Sequence, residues 1–261
     1  MKQRIITGVI AGAGFLGFII LGGIPFIVLM VLLALIGMWE LLRMKHIKPW
    51  SVRGLTAFLF LLLLALPQEA ISFLHVDRNE LFLLLIIVLL GHTVMTKNSF
   101  TFDEAGFVIL ASVYVGFGFH YFMYARFVDN GLTLIFFLLC IIWATDSGAY
   151  FVGRSMGKRK LWPEISPKKT IEGSIGGILI ALGIGLVFVY FFPVYDSMIT
   201  TIIAILLVSI AGQLGDLVES AFKRHYAVKD SGQVLPGHGG ILDRFDSMIF
   251  VMPLFYLVGL M

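Results

Sequence analysis

Between Ser220 and Asp246 an otherwise apolar chain becomes crowded with charge, SAFKRHYAVKDSGQVLPGHGGILDRFD, and runs straight into a last apolar stretch. Asp243, Arg244 and Asp246 stand at the mouth of that stretch, where ionised groups cost several kcal/mol unless they are paired, hydrated or metal-bound. Further acids, Asp216 with Glu219 in GQLGDLVES and Asp146 in WATDSGAYFVGR, lie near the ends of other apolar runs. Asp243 and Asp246 are three residues apart, as are Asp216 and Glu219, so each pair projects from one helical face. Convergent carboxylates suit a hard divalent cation such as Mg2+, which takes one or two protein acids and fills its shell with water and substrate phosphates. Charge pairing is the competing use. Acids near a helix start complement its dipole, and Arg224 or Arg244 can neutralise Asp216.

Two other segments carry polar chemistry. Gly153 to Gly173, GRSMGKRKLWPEISPKKTIEG, holds six Lys and Arg with Ser166, Thr170 and several glycines, and ends where an apolar run begins. Backbone N–H groups at such a helix start, with Lys168 and Lys169, make an anion site. Lys158 to Lys160 read better as an anchor on anionic lipid. The segment Pro236 to Gly240, PGHGG, sets three glycines around His238 and lets the backbone approach a ligand closely. His238 fits an acid, a base or a hydrogen-bond donor, against the bland reading of a satisfied turn residue. His75, His92 and His120 carry no such context.

These groups must be positioned by apolar elements. The chain is 59% apolar with 24 Phe in 261 residues, and its mean hydropathy is +0.98. Soluble domains are about half apolar and about a quarter charged; this composition belongs to an integral membrane protein. A span needs ~20 apolar residues, and nine candidates follow: Ile5–Leu21, Ile24–Leu42, Leu55–Leu66, Leu81–Met95, Ala105–Ala125, Leu132–Phe151, Ile171–Phe192, Met198–Phe222 and Ile241–Met261. The third and fourth are short, and as a re-entrant pair they would leave seven spans with the same parity. Runs of Leu, Ile and Phe without period-2 alternation favour an all-α polytopic helix bundle over a barrel. With the N-terminus cytoplasmic, sixteen of the 19 Lys and Arg fall on that side, Arg78 and Arg126 fall on the other, and Arg244 lies in the last span. That bias is the signature of cytoplasmic loops.

The expected organisation is one membrane domain, with scaffold spans over 1–130 and the chemistry over 140–246 at the cytoplasmic face. Gly8 with Gly12, and Gly173 with Gly177, have small-xxx-small spacing for helix packing. Cys140 is read as a small buried hydrophobe. No P-loop, H-E-x-x-H, C-x-x-C or G-x-S-x-G pattern occurs.

Ser220, Lys223 with Arg224, Lys229 with Asp230, His238 to Gly240, and Asp243, Arg244 and Asp246 together closely resemble the signature of the phosphatidate cytidylyltransferases, also called CDP-diacylglycerol synthases, with matching spacing over 27 residues. TDSGAYFVGR and SPKKTIEG also look like that family, although Ile171 stands where relatives often carry an aromatic. The resemblance covers Trp143 to Asp246. It implies a polytopic, homodimeric membrane enzyme that joins CTP to phosphatidic acid with Mg2+, a second cation being left open, and that has no nucleic-acid partner. On this reading Asp216, Asp243 and Asp246 coordinate metal, with Asp146 as a further ligand or a support behind one. Lys223, Arg244 and His238 complete the catalytic set. Ser166, Lys168, Lys169, Thr170, Glu172, Arg224, Lys229, Asp230, Gly239 and Gly240 contact substrate. A bacterial cytoplasmic membrane with the site on the cytosolic side is the expected location. The competing readings are a CTP-dependent polyprenol kinase and, from a different class, a secondary transporter with ion sites between inverted repeats.

Overall fold

The computed structural model describes residues 2–71, 76–234 and 237–261, the side chains of 2–5, 69 and 71 excepted. His75 and Pro236, both noted in the sequence, lie outside the described residues. Every apolar run becomes a helix: α1 Lys2–Leu21, α2 Gly23–Met44, α3 Val52–Ala65, α5 Arg78–Met95, α6 Phe102–Phe127, α7 Gly131–Met156, α8 Ile171–Phe191, α9 Met198–His225 and α10 Leu242–Leu257, with the short α4 Gln68–Ile71 between α3 and α5. Breaks fall where local chemistry demands them. Gly22 and Gly23 take positive φ of 62° and 56° between α1 and α2, a conformation glycine adopts without strain. Ser51, Thr170 and Ser197 cap α3, α8 and α9 by accepting backbone N–H bonds.

Six helices, α2 and α5 to α9, are long and apolar enough to cross a bilayer, and the apolar part of α1 (Ile6–Leu21) and α3 are shorter. The chain is therefore an integral membrane protein. At about 1.5 Å per residue the 26 residues of α7 and the 28 of α9 extend ~39 and ~42 Å, beyond the ~30 Å of hydrocarbon.

The all-α expectation fails in one place. Lys160–Trp162 (β1) and Ser166–Thr170 (β2) form a small antiparallel hairpin with Lys160 opposite Thr170 and Trp162 opposite Ser166. Pro163 and Pro167 disfavour helix here, and Pro167 is tolerated because a two-stranded ribbon leaves edges free.

The chain forms two compact units. The first is Met1–Tyr124 with Asp230–Leu242, and the second is Ala125–Lys229 with Asp243–Met261. In the first, Phe15 and Phe26 meet Phe122 edge-on at 6.0 Å, joining α1, α2 and α6. Arg78 donates to the Leu64 and Leu66 carbonyls at the end of α3 and lies 2.9 Å from His120 Nε2, which gives His120 a structural role.

In the second unit α8 runs antiparallel to α7. Its buried residues Gly173, Gly177, Ala181 and Gly185 recur every fourth position, so one row of small side chains forms the seam. A Cβ on Gly177 would lie 2.7 Å from the Thr145 carbonyl oxygen, and one on Gly173 would lie 2.7 Å from that of Ala149. The backbones touch. Thr145 donates to Ser209 Oγ at 2.8 Å, tying α7 to α9, and Ser247 donates to the Gly212 carbonyl at 3.0 Å, tying α10 to α9.

Candidate active site

These contacts fix the relative heights of α7, α9 and α10. Thr145 meets Ser209, a Cβ on Gly212 would meet Ile142, and a Cβ on Gly215 would lie 2.7 Å from the Asp246 carbonyl oxygen. Asp146 on α7, Asp216 on α9 and Asp246 on α10 therefore stand at one level. Each of Asp146 and Asp246 feels the charge of Asp216, and Asp246 feels that of Asp146 as well. Asp146 is exposed, while Asp216 and Asp246 are half-buried. Lys169 reaches over from β2 and pairs with Asp216 Oδ2 at 2.6 Å. The cation on Asp216 is this lysine, where the sequence pointed to Arg224 or Arg244.

Asp243 has different company. Lys223 Nζ lies 2.7 Å from Asp243 Oδ1 and also pairs with Glu219 one turn back on α9. Glu219 is 1% exposed, Asp243 8% and Lys223 14%, so an ammonium is clamped between two carboxylates away from bulk water. Although Asp243 and Asp246 lie three apart on α10, Asp243 pairs with Lys223, whereas Asp246 accepts from the Ser247 N–H and lies within electrostatic range of Asp216. Among the described residues no three His, Cys, Asp or Glu side chains are gathered closely enough to hold a metal ion by themselves.

The hairpin is built from its own polar groups. Thr170 Oγ1 accepts from Gly173 N–H at 3.1 Å and starts α8. Glu172 accepts from the N–H groups of Lys158 at 3.0 Å and Arg159 at 3.1 Å, fixing the approach to β1. Arg224 Nε donates to the Ile165 carbonyl at 3.1 Å, holding the hairpin turn to the end of α9. Thr170, Glu172 and Arg224, expected at substrate, are thus engaged in shaping the loop. Ser166 pairs in the hairpin beside exposed Lys168, and Arg244 and Lys229 are exposed. Ser220 Oγ lies 3.3 Å from Asp216 Oδ1, in donor position.

Asp230, His238, Gly239 and Gly240 belong to the first unit. Gly237 and Gly239 take φ of 79° and 84°, so the chain curls tightly around His238. The His238 ring lies against Gly8 of α1, where a Cβ would come within 2.9 Å of Nε2. Gly12, the other half of that small-residue pair, has open space. Sequence reasoning missed Glu40. Its carboxylate, 2% exposed in α2, accepts from the N–H groups of Ile241 and Leu242. The available signal was a lone acid in WELLR, inside a 22-residue helix whose one other charged residue is Arg43 in its last turn.

The profile of the cytidylyltransferase family matches residues 2–261, all but the first residue of the chain. The chain belongs to that family. It is 53% identical over 260 residues to the phosphatidate cytidylyltransferase of Bacillus subtilis strain 168, covering 98% of this chain and 96% of the relative. It is 47% identical over 254 residues to the enzyme of the same name from Staphylococcus epidermidis RP62A, with 97% of each chain covered. Staphylococcus aureus strain COL has a relative of that name at 46% identity over 254 residues, again with 97% of each covered. The match therefore extends over the scaffold helices, beyond the Trp143 to Asp246 stretch whose motifs carried the resemblance.

Proposed function

We propose that this chain transfers the cytidylyl group of CTP to phosphatidic acid, giving CDP-diacylglycerol and pyrophosphate for phospholipid synthesis. The family and the names of the relatives support the reaction. The observation that carries the site is the level shared by Asp146, Asp216 and Asp246, with Lys169 on Asp216. A phosphate oxygen of the lipid forms a bond to the α-phosphorus of CTP, the bond from that phosphorus to the bridging oxygen of the β-phosphate breaks, and pyrophosphate leaves with the electron pair. A phosphate monoester is nucleophilic at neutral pH, so the protein's task is to position reactants and neutralise charge.

Asp146, Asp216 and Asp246 are oxygen donors from three helices at one level; since no three acids among the described residues enclose an ion unaided, Mg2+ would draw the rest of its shell from water and substrate phosphates. These residues would hold Mg2+, which supplies charge neutralisation for the triphosphate. Lys168 and Lys169 on β2, with Arg224, Lys229 and Arg244, set positive charge toward the phosphates. Ser166, Thr170 and Glu172 keep the hairpin in the shape that presents those lysines. Lys223 pairs with Asp243 and Glu219; on this reading Asp243 holds α10 against α9 from beside the cation, and Asp246 is the α10 acid turned to it. His238 with Gly239 and Gly240 receives a phosphate, and Asp230 contacts substrate beside Lys229.

The same reading sets all nine apolar helices across a bacterial cytoplasmic membrane, with the N-terminus and the site on the cytosolic side. There CTP arrives and the two-chain lipid stays in place. A homodimer completes the proposal.

Purified protein incubated with CTP labelled in its α-phosphate, phosphatidic acid and Mg2+ tests it. A labelled CDP-lipid with unlabelled pyrophosphate is the expected result. Label recovered as CDP beside a newly phosphorylated lipid alcohol, or no transfer by folded protein, overturns it.

A further inference from the structure

A helix start such as that of α10 offers backbone N–H groups to an anion. Here two of those groups already hold one that belongs to the protein. Glu40 accepts from Ile241 N–H at 2.8 Å and Leu242 N–H at 2.9 Å, and from the Ser231 hydroxyl at 3.0 Å. Gly232 and Gly240 wrap the same carboxylate so closely that a Cβ on either would collide with it. Both ends of the 231–242 segment thus converge on one side chain of α2. An ionised group this deep in an apolar helix persists only when its hydrogen bonds are met, and this loop meets them.

We propose that Glu40 is a positioning residue: it takes the place of an external anion at the start of α10 and so fixes residues 231–234 and 237–242, with His238 and the Gly239–Gly240 backbone, in the form that receives substrate phosphate. The proposal rests on the activity given above. Glu40 acts through the loop, since its oxygens are turned onto Ser231, Ile241 and Leu242. The loop has a second rest on α1, where the missing side chain of Gly8 makes room for the His238 ring. The phosphate contacts of this segment therefore fall to His238, Gly239 and Gly240, because Ile241 and Leu242 N–H are already taken.

Glu40→Gln keeps the shape but turns an amide NH2 toward N–H donors, and Glu40→Ala removes the anchor. Losing hydrogen bonds to a charged acceptor costs about 1.5–3 kcal/mol, roughly a ten- to hundredfold change in an equilibrium. Hydrogen exchange on the intact purified protein should show the Ile241 and Leu242 amides exchanging at least about tenfold faster in Glu40→Gln. In the labelled-CTP assay kcat should fall by about tenfold or more with little change in KM for CTP. Glu40→Gln combined with His238→Ala should be no worse than His238→Ala alone, since both act through one loop. Unchanged exchange at 241 and 242, full kcat in Glu40→Gln, or losses that multiply in the double variant would each overturn the proposal. Should Glu40→Ala fail to fold, Glu40→Gln still decides. If the wild type makes no CDP-lipid the reading of the activity falls, whereas the exchange experiment judges Glu40 independently.

Discussion

Replacing Lys223 by Met keeps its bulk and removes the ammonium that separates Glu219 from Asp243. In the intact protein that nitrogen lies 2.7 Å from Asp243 and contacts Glu219 as well, and none of the three side chains exceeds 14% exposure. Without it two buried carboxylates confront each other, and the cost of breaking a buried ion pair from one side is about 3–5 kcal/mol. At ~2–4 °C per kcal/mol for a chain of this size, Tm should drop on the order of 10 °C. Glu219→Gln behaves oppositely: it leaves one lysine facing one aspartate, and should change Tm by no more than a few degrees. Lys223→Met combined with Glu219→Gln should recover part of the loss, because one of the two confronting charges is gone. Thermal unfolding of the purified proteins in one detergent, followed by intrinsic fluorescence, measures all three. The reasoning fails if Lys223→Met unfolds at the wild-type temperature, or if Glu219→Gln is the more damaging single change.

Other consequences follow from the same geometry. Gly177→Ala should destabilise by about 1–3 kcal/mol, since its Cβ would press on the Thr145 carbonyl. Gly183→Ala on the same helix has nothing within 4 Å and should be neutral or mildly stabilising, so thermal unfolding of the pair isolates the seam. Thr145→Val strands Ser209 in a buried site and should cost about 0.5–1.5 kcal/mol; adding Ser209→Ala should restore most of it. Asp216→Asn and Asp246→Asn should each lower CTP-dependent turnover on the order of a hundredfold in protein that elutes as wild type. Chelation of divalent cations should abolish wild-type turnover, and added Mg2+ should restore it.

Much of this was legible in the residues because hydrophobic length and charge placement are local signals. The nine apolar runs map one-to-one onto α1–α3 and α5–α10, and their ends fall within a few residues of the helix termini. The hairpin was harder to see. Its strands are three and five residues long, too short for period-2 alternation to register, and one of them contains a proline. Asp146, Asp216 and Asp246 could be chosen from sequence as acids in improbable places. Their common level could not, because it depends on the glycine and serine contacts that set how α7, α9 and α10 slide against one another. The division of labour on α10 was hidden for a related reason: a three-residue spacing puts Asp243 and Asp246 on one face, but only the position of Lys223 decides which is consumed. Glu40 escaped because its partners lie about two hundred residues away along the chain, at a separation where no periodicity operates.

The seam of α8 has a practical corollary. Only 17% of its apolar window is buried, and what is buried is glycine and alanine, so Ile175, Leu179, Ile184 and Val187 present their bulk outward. Such a rod is held by close backbone approach on one flank and by whatever solvates the other. A short-chain detergent that wets those outward aliphatics poorly, or wedges into the narrow groove, should loosen this helix before any other in its unit. Handling this protein in long-chain detergents or lipid nanodiscs should therefore preserve activity that harsher solubilisation destroys.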